Sequence, residues 1–173
     1  MTPPPEFSRP ERVDTIGTPE KSVAIEADAG ERAGLARRFA LISIERLAAN
    51  FAVRREGAAI VATGHVIGAV TQACSATGEP LTAAVDETVS LRFVDETETA
   101  DELELSADAL DTLPIENGAI DLGEAAAETL ALALDPFPRH PDAEAMLAAS
   151  GAMGEDASGP FAGLADLKRK LGD

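Results

Sequence analysis

One thiol, two imidazoles and 31 carboxylates are the side chains of this chain that could carry acid, base, nucleophile or metal chemistry. The thiol is Cys74, entering a tight loop at the end of a strand-like run. A nucleophilic cysteine needs a base within hydrogen-bond reach and a third group to orient it. The imidazoles, His65 and His140, stand apart from it in the sequence. Cys74 therefore reads as a small, partly buried hydrophobe. His65 reads as a satisfied strand residue, and His140 as a solvated residue of a proline-rich loop. A structural zinc site takes about four ligands, and one Cys with two scattered His does not supply them. The carboxylates show no EF-hand spacing. Paired carboxylates for acid–base work need one member in an apolar pocket, and no pair stands out from the 31. No G-x-G-x-x-G opens a helix and no P-loop lysine is present. The expectation is a chain with no catalytic constellation, no cofactor, no metal site and no small-molecule substrate, one that works by binding.

What it binds is constrained by charge. The net charge is -17, but it is unevenly placed. Residues 1–60 hold 9 bases and 9 acids, residues 61–139 hold 2 and 16, and residues 140–173 hold 3 and 6. Between Arg92 and Arg139 there are 13 acids and no base. Such a segment repels phosphate backbones and attracts basic partners. The stretch Asp95, Glu96, Glu98, Asp101, Glu102, Glu104, Asp108, Asp111 and Glu116 is the candidate partner-binding surface. Aromatics are 3% of the chain, with no Trp and no Tyr. Stacking of single-stranded bases thus lacks its platforms. The counter-candidate is an RNA-facing patch of Arg37, Arg38, Arg54 and Arg55, formed if the first helix packs near the first hairpin. A lone cysteine asks for no oxidising compartment. The N-terminus lacks the apolar stretch of a signal peptide, no window reaches a membrane span, and the expected address is the cytoplasm.

The elements that must position these groups are legible in outline. Residues 1–21 read as a polar, proline-rich lead-in that buries little. Residues 22–138 read as an α+β core. Ser22 to Ala27 is a short strand, and Asp28 with Glu31 has capping-box spacing before a helix that turns Leu35, Ala36 and Phe39 inward. Leu47, Ala49, Phe51 and Val53 alternate with polar or small residues, a period of two. Glu56-Gly57 is a turn. Ile60 to Cys74 is apolar on both faces, as in a central strand, with Gly64 and Gly68 marking a bulge or a close backbone approach. Leu81 to Phe93 alternates again. The three strands predict an antiparallel meander with packed helices. Leu103 and Leu105 suggest a short edge strand. Asp121 and Glu124 repeat the capping spacing before the helix Leu122 to Leu134, which Asp135 to Pro138 ends. Residues 139–159 read as a linker with a weak helix at Asp142 to Ala149. Residues 160–173 read as a short amphipathic helix, Phe161 to Leu171, docked or free to fold on a partner.

Three motifs in order resemble a known family. They are Cys74-Ser75-Ala76-Thr77-Gly78-Glu79-Pro80 after a long strand, Gly118-Ala119-Ile120-Asp121-Leu122 opening a helix that runs through Glu128 to Asp135-Pro136-Phe137-Pro138, and Gly159-Pro160-Phe161-Ala162 with Leu164, Leu167 and Lys168. The chain is similar to the YceD family, the large ribosomal RNA subunit accumulation proteins. Phe7-Ser8-Arg9-Pro10 with Ala24-Ile25-Glu26-Ala27 looks like its alphaproteobacterial branch. The resemblance implies a bacterial protein tied to 23S ribosomal RNA accumulation, with no established enzymatic activity. Many members carry Cys-x-x-Cys in the central loop and further Cys or His after the helix. Here Thr77 holds the second position and only His140 follows the helix, so no zinc site is carried over.

The leading expectation is an accessory factor in large-subunit assembly that contacts a basic ribosomal or assembly protein. Direct ribosomal RNA binding through the arginines is the alternative, and an enzyme built around Cys74 or His65 the remote third. The partner, the assembly step and the oligomeric state are not encoded in any motif.

Overall fold

The computed structural model describes residues 5–95 and 111–150. In chain order the elements are β1 (Pro10–Arg12), a 3-10 turn (Val13–Thr15), β2 (Lys21–Glu26), α1 (Ala29–Arg38), β3 (Ser43–Glu56), β4 (Ala59–Ala73), β5 (Pro80–Val94), β6 (Asp111–Pro114), β7 (Ala119–Asp121), α2 (Leu122–Ala133) and α3 (Ala143–Ala149). The fold is α+β. One sheet runs β2-β3-β4-β5-β6, and β1 pairs with β7 in a second, two-stranded sheet. The chain divides into two compact units, Met1–Gln72 with Thr82–Pro136, and Ala73–Leu81 with Phe137–Asp173.

The meander forms where period-two patterning meets a buried face. Leu47, Ala49, Phe51 and Val53 of β3 are all buried, and β3 pairs antiparallel with both β2 and β4. Ile44 and Leu47 are buried although three positions apart. A register shift between Ile44 and Arg46 absorbs the extra residue, and such a bulge restores the inward phase. In β4 only Ala59 to Ala62 are buried in succession; from Thr63 onward burial largely alternates, with His65 and Ile67 exposed. The expectation of two apolar faces therefore holds for the first part of that strand only. Gly64 and Gly68 are places of close approach. A Cβ on Gly64 would lie 2.1 Å from the Asn50 carbonyl oxygen, and one on Gly68 would lie 2.4 Å from Leu130 of α2.

The two longer helices, α1 and α2, start as their sequences prescribe. In α1 the Asp28 side chain accepts from the Glu31 backbone N–H while the Glu31 carboxylate accepts from the Asp28 N–H, a full capping box. Leu35 and Ala36 are buried and Phe39 packs against the core. In α2 Asp121 is the N-cap, and Leu122, Ala126 and Leu130 form a fully buried stripe.

Two expectations need correction. The lead-in is built into the fold from Phe7 onward. Phe7 is 0% exposed and Ile16 4%, and β1 pairs antiparallel with β7. The reason is tertiary. Ser8 Oγ donates to Asp121 Oδ2 at 2.5 Å, and the Arg9 N–H to Asp121 Oδ1 at 2.7 Å, while Oδ1 also takes the N–H groups of Gly123 and Glu124. The Leu122 N–H in turn bonds the Arg9 carbonyl. Secondly, the sheet is not purely antiparallel, because β6 runs parallel to β5, Leu91 opposite Asp111 through Val94 opposite Pro114. The suggested strand at Leu103 and Leu105, and the helix from Phe161 to Leu171, lie outside the described residues.

Asp121 thus caps α2 and anchors the N-terminal segment at once. Replacing Asp121 with Ala is expected to lower the unfolding free energy by about 3 kcal/mol, from the lost cap and the lost charge-assisted bonds. Urea unfolding followed by circular dichroism reads this, and a loss below about 0.5 kcal/mol, within the range of an ordinary surface substitution, would contradict the assignment. Gly123→Ala should act on the same contact from the other side, since its Cβ would sit 2.5 Å from the Phe7 carbonyl oxygen.

Candidate functional site

Beside the start of α2 the first unit holds a cavity of about 440 Å³. Phe93 at the end of β5, Leu113 and Pro114 of β6 and Ile120 of β7 form its apolar walls, with Pro5 and Pro10 from the N-terminal segment. Four carboxylates line it as well: Glu116, Asp121, Glu124 and Glu128. Glu116 is placed by the tight turn that joins β6 to β7. Its N–H and C=O bond the C=O and N–H of Ala119, and Asn117 and Gly118 take positive φ values of 52° and 71°, the backbone a two-residue Asn-Gly turn requires. Glu124 and Glu128 are one helical turn apart and so share a face of α2.

The four acids are not equivalent. Asp121 is committed to its backbone partners. Glu124 receives a two-pronged bond from Arg38 of α1, at 2.9 and 2.5 Å, and Arg38 also reaches Glu6 at 3.4 Å. Glu128 has no ion-pair partner among the described residues. Burial holds its carboxyl above the usual carboxylate range, the charge of Glu124 adds to this, and Arg38 opposes it. Of the acids singled out from sequence, Asp95 and Asp111 lie at the exposed ends of β5 and β6, and Glu116 lines the groove. Glu96, Glu98, Asp101, Glu102, Glu104 and Asp108 lie outside the described residues. The structure therefore brings Glu116 together with Asp121 and Glu128. It adds Glu124 and the apolar walls, which sequence reasoning missed. The i,i+4 acid pair Glu124/Glu128, with no base beside it in the sequence, was a readable signal; the parallel pairing of β6 was not.

The arginines form a different picture. Arg38 is bound to Glu124 and Glu6. Arg54 pairs with Glu56 at 3.2 Å and Glu20 at 3.9 Å. Arg55 donates to the carbonyls of Ile16 and Val13. Arg9 pairs two-pronged with Glu31, at 2.7 and 3.0 Å, and lies over the Phe7 ring. Of the four proposed RNA-facing arginines, three are thus already engaged within the chain.

In the second unit, Cys74 opens a closed turn. Its N–H bonds the Glu79 carbonyl and its C=O takes the Gly78 N–H, each at 2.8 Å, with Gly78 at φ 75°. The Ser75 N–H bonds the Pro138 carbonyl at 2.7 Å, and the His140 N–H donates to Cys74 Sγ at 3.3 Å. Cys74 is 3% exposed. The Thr77 hydroxyl first, and the His140 N–H second, hold its thiol down to about 6, against the opposing effect of burial; hydrogen bonds to the charged form favour it. His140 is half-buried rather than solvated, and its ring Nδ1 accepts from the Asp142 N–H at 3.1 Å. Among the described residues no three His, Cys, Asp or Glu side chains converge as metal ligands. A thiol, a hydroxyl and an imidazole already in use do not match the donor set of a structural zinc site. His65, on the exposed side of β4, lies 3.3 Å from both Asp86 Oδ1 and Thr88 Oγ1.

Within the second unit the Cys74 turn meets Pro138 through the Ser75 N–H, and within the first the Asp121 helix start meets Ser8 and Arg9. A family model described as Large ribosomal RNA subunit accumulation protein YceD matches residues 62–168. The chain belongs to the YceD family. No curated protein and no solved structure matches it. The YceD match begins within β4, so Phe7 to Pro10 lies outside it although it is tied to Asp121 within it. Of the YceD-like motif residues, Cys74, Gly78 and Pro80 form the turn and the start of β5, Asp121 and Glu128 lie on the groove, and Pro136 and Pro138 follow α2. Pro160, Phe161, Leu164, Leu167 and Lys168 lie outside the described residues. The YceD description names an accumulation protein for the large-subunit ribosomal RNA and names no reaction. Among the described residues no helix is long and apolar enough to cross a membrane.

With no Trp or Tyr to mask it, the thiolate absorbance of Cys74 can be followed directly against pH. It is expected to inflect near 6 and to move upward in Thr77→Val. An inflection at about 8.5, the ordinary thiol value, would contradict the hydrogen-bonded thiolate. Because the folded value is depressed, the thiolate's contribution to stability is full above the unfolded thiol range and is lost as pH falls through about 6.

Proposed function

We propose that this chain is a non-enzymatic accessory factor in accumulation of the large-subunit ribosomal RNA, and that it works in the cytoplasm by binding a basic ribosomal or assembly protein on its acidic side. The observation that carries the reading is the contrast in how charge is used. Most cations of the N-terminal third are held in ion pairs or on backbone carbonyls. The groove, by contrast, keeps exposed carboxylates at Glu116 and Glu128. In the sequence, the stretch 96–110 between β5 and β6 adds 6 acids and no base. Ribosomal proteins are basic as a class, and a field of this sign speeds and orients their approach.

Proteins extracted from purified large ribosomal subunits are the defined probe. Binding to the full chain should weaken steeply with added salt. Neutralising the acids from Asp95 to Glu116 as amides should weaken it by about tenfold at low salt, while Arg37→Ala and Arg54→Ala leave it unchanged. Unaltered binding after neutralisation would overturn the proposal. A gel shift of large-subunit RNA that is lost in the arginine variants would replace it with direct RNA recognition.

A further inference from the structure

We infer that the groove between β6, β7 and the first turns of α2 seats one arginine or lysine side chain, carried on an apolar segment of the partner protein. The inference rests on the reading above and deepens it, from an acidic side to a single pocket.

The chemistry of the walls selects the occupant. Leu113, Pro114 and Pro10 offer an apolar surface to a methylene stem, backed by the buried Ile120 and Phe93, and long cationic side chains pack such stems on apolar surface while keeping the head at a polar rim. Glu116 and Glu128 stand at that rim, both exposed and neither paired among the described residues. An anion would meet like charge. A bare metal ion would lack a ligand set, since no three candidate ligands converge among the described residues. An uncharged apolar group would strip water from the exposed Glu128 and return no charge, where partial desolvation and the charge of Glu124 already disfavour its ionised form. A cation removes that penalty.

The molecule already shows the interaction once. Glu124, one turn earlier on the same helix face, binds the guanidinium of Arg38 in a two-pronged geometry. Fork-to-fork pairing of this kind is the strong form of the charge-assisted bond. Glu128 repeats the carboxylate at i+4 with no arginine of the described chain to meet it. The cavity beside it, about 440 Å³, is at the lower end of the range for small-ligand sites, ample for one long side chain with its flanking residues.

The test uses the isotope-labelled full chain and acetyl-Leu-Arg-Leu-amide, with its citrulline twin as the uncharged control. Saturable shifts of the Leu113, Ile120 and Glu128 amides are expected, weakened roughly tenfold with citrulline and by a similar factor in Glu128→Gln. Glu144→Gln, on α3, should change nothing. Absence of saturable shifts at those three amides up to about 10 mM peptide, or equal affinity for citrulline, would overturn the pocket. The two readings fail separately. If large-subunit proteins bind with salt dependence while the peptide misses the groove, only the pocket falls. If the peptide fills the groove and those proteins do not bind, the pocket stands and the assembly partner is of another kind.

Discussion

The carboxylate of Asp121 is the constraint on which the described fold most depends. It caps α2 through Gly123 and Glu124 and holds Ser8 and Arg9 at the same time. From Arg9 the network continues through its guanidinium to Glu31, which is the closing residue of the α1 capping box. One chain of charge-assisted bonds therefore links the N-terminal segment, the start of α1 and the start of α2. Linked polar networks of this kind are worth more than pairwise deletions suggest. The apolar consequence is Phe7, fully buried at the position that Ser8 and Arg9 fix. Gly123 completes the arrangement, because only a residue without Cβ lets the Phe7 carbonyl come so close.

The same region sets the electrical character of the site. Arg38 crosses from α1 to Glu124 and so neutralises the first acid of the α2 face but not the second. Exposed pairs such as Arg12–Asp14 contribute little to stability. Their larger effect is to leave the N-terminal third with few cations free to meet phosphate. The groove then has apolar walls from three strands and uncompensated acids from a turn and a helix. A fold whose frame spends its arginines internally presents its surplus charge in one place.

Local features were legible in the sequence, and long-range ones were not. Asp28 and Glu31 sit three residues apart, so the capping box could be read directly. Leu47 to Val53 repeats every two residues, so β3 could be read as well. Gly64 and Gly68 announced a close approach, but only the structure shows that the neighbours are Asn50 and Leu130. The bulge at Glu45 marks the pattern only as a break in its alternation, with Ile44 and Leu47 both inward three positions apart, and the register shift that explains the break is seen only in the structure. Pro-rich composition suggested a lead-in that buries little. The partner that orders it, Asp121, lies 113 residues from Ser8, beyond any local signal. The groove was hidden for the same reason: Glu116 and Glu128 stand in the sequence, but the parallel pairing that brings Leu113 beside them is a tertiary fact. At Cys74 the presence of Thr77 three residues on was visible in advance, while the hydrogen bonds from Thr77 and the His140 N–H to its sulfur were not.

The acidic groove face is proposed to serve accumulation of the large-subunit ribosomal RNA. Its most direct test replaces the cellular copy with a folded Glu116→Gln/Glu128→Gln variant and measures the ratio of large- to small-subunit ribosomal RNA, with the unaltered chain and a deletion as references. The ratio is expected to fall on deletion, to be restored by the unaltered chain, and to stay low with the variant at equal protein level. A ratio that the deletion leaves unchanged, or that the variant restores in full, would contradict it.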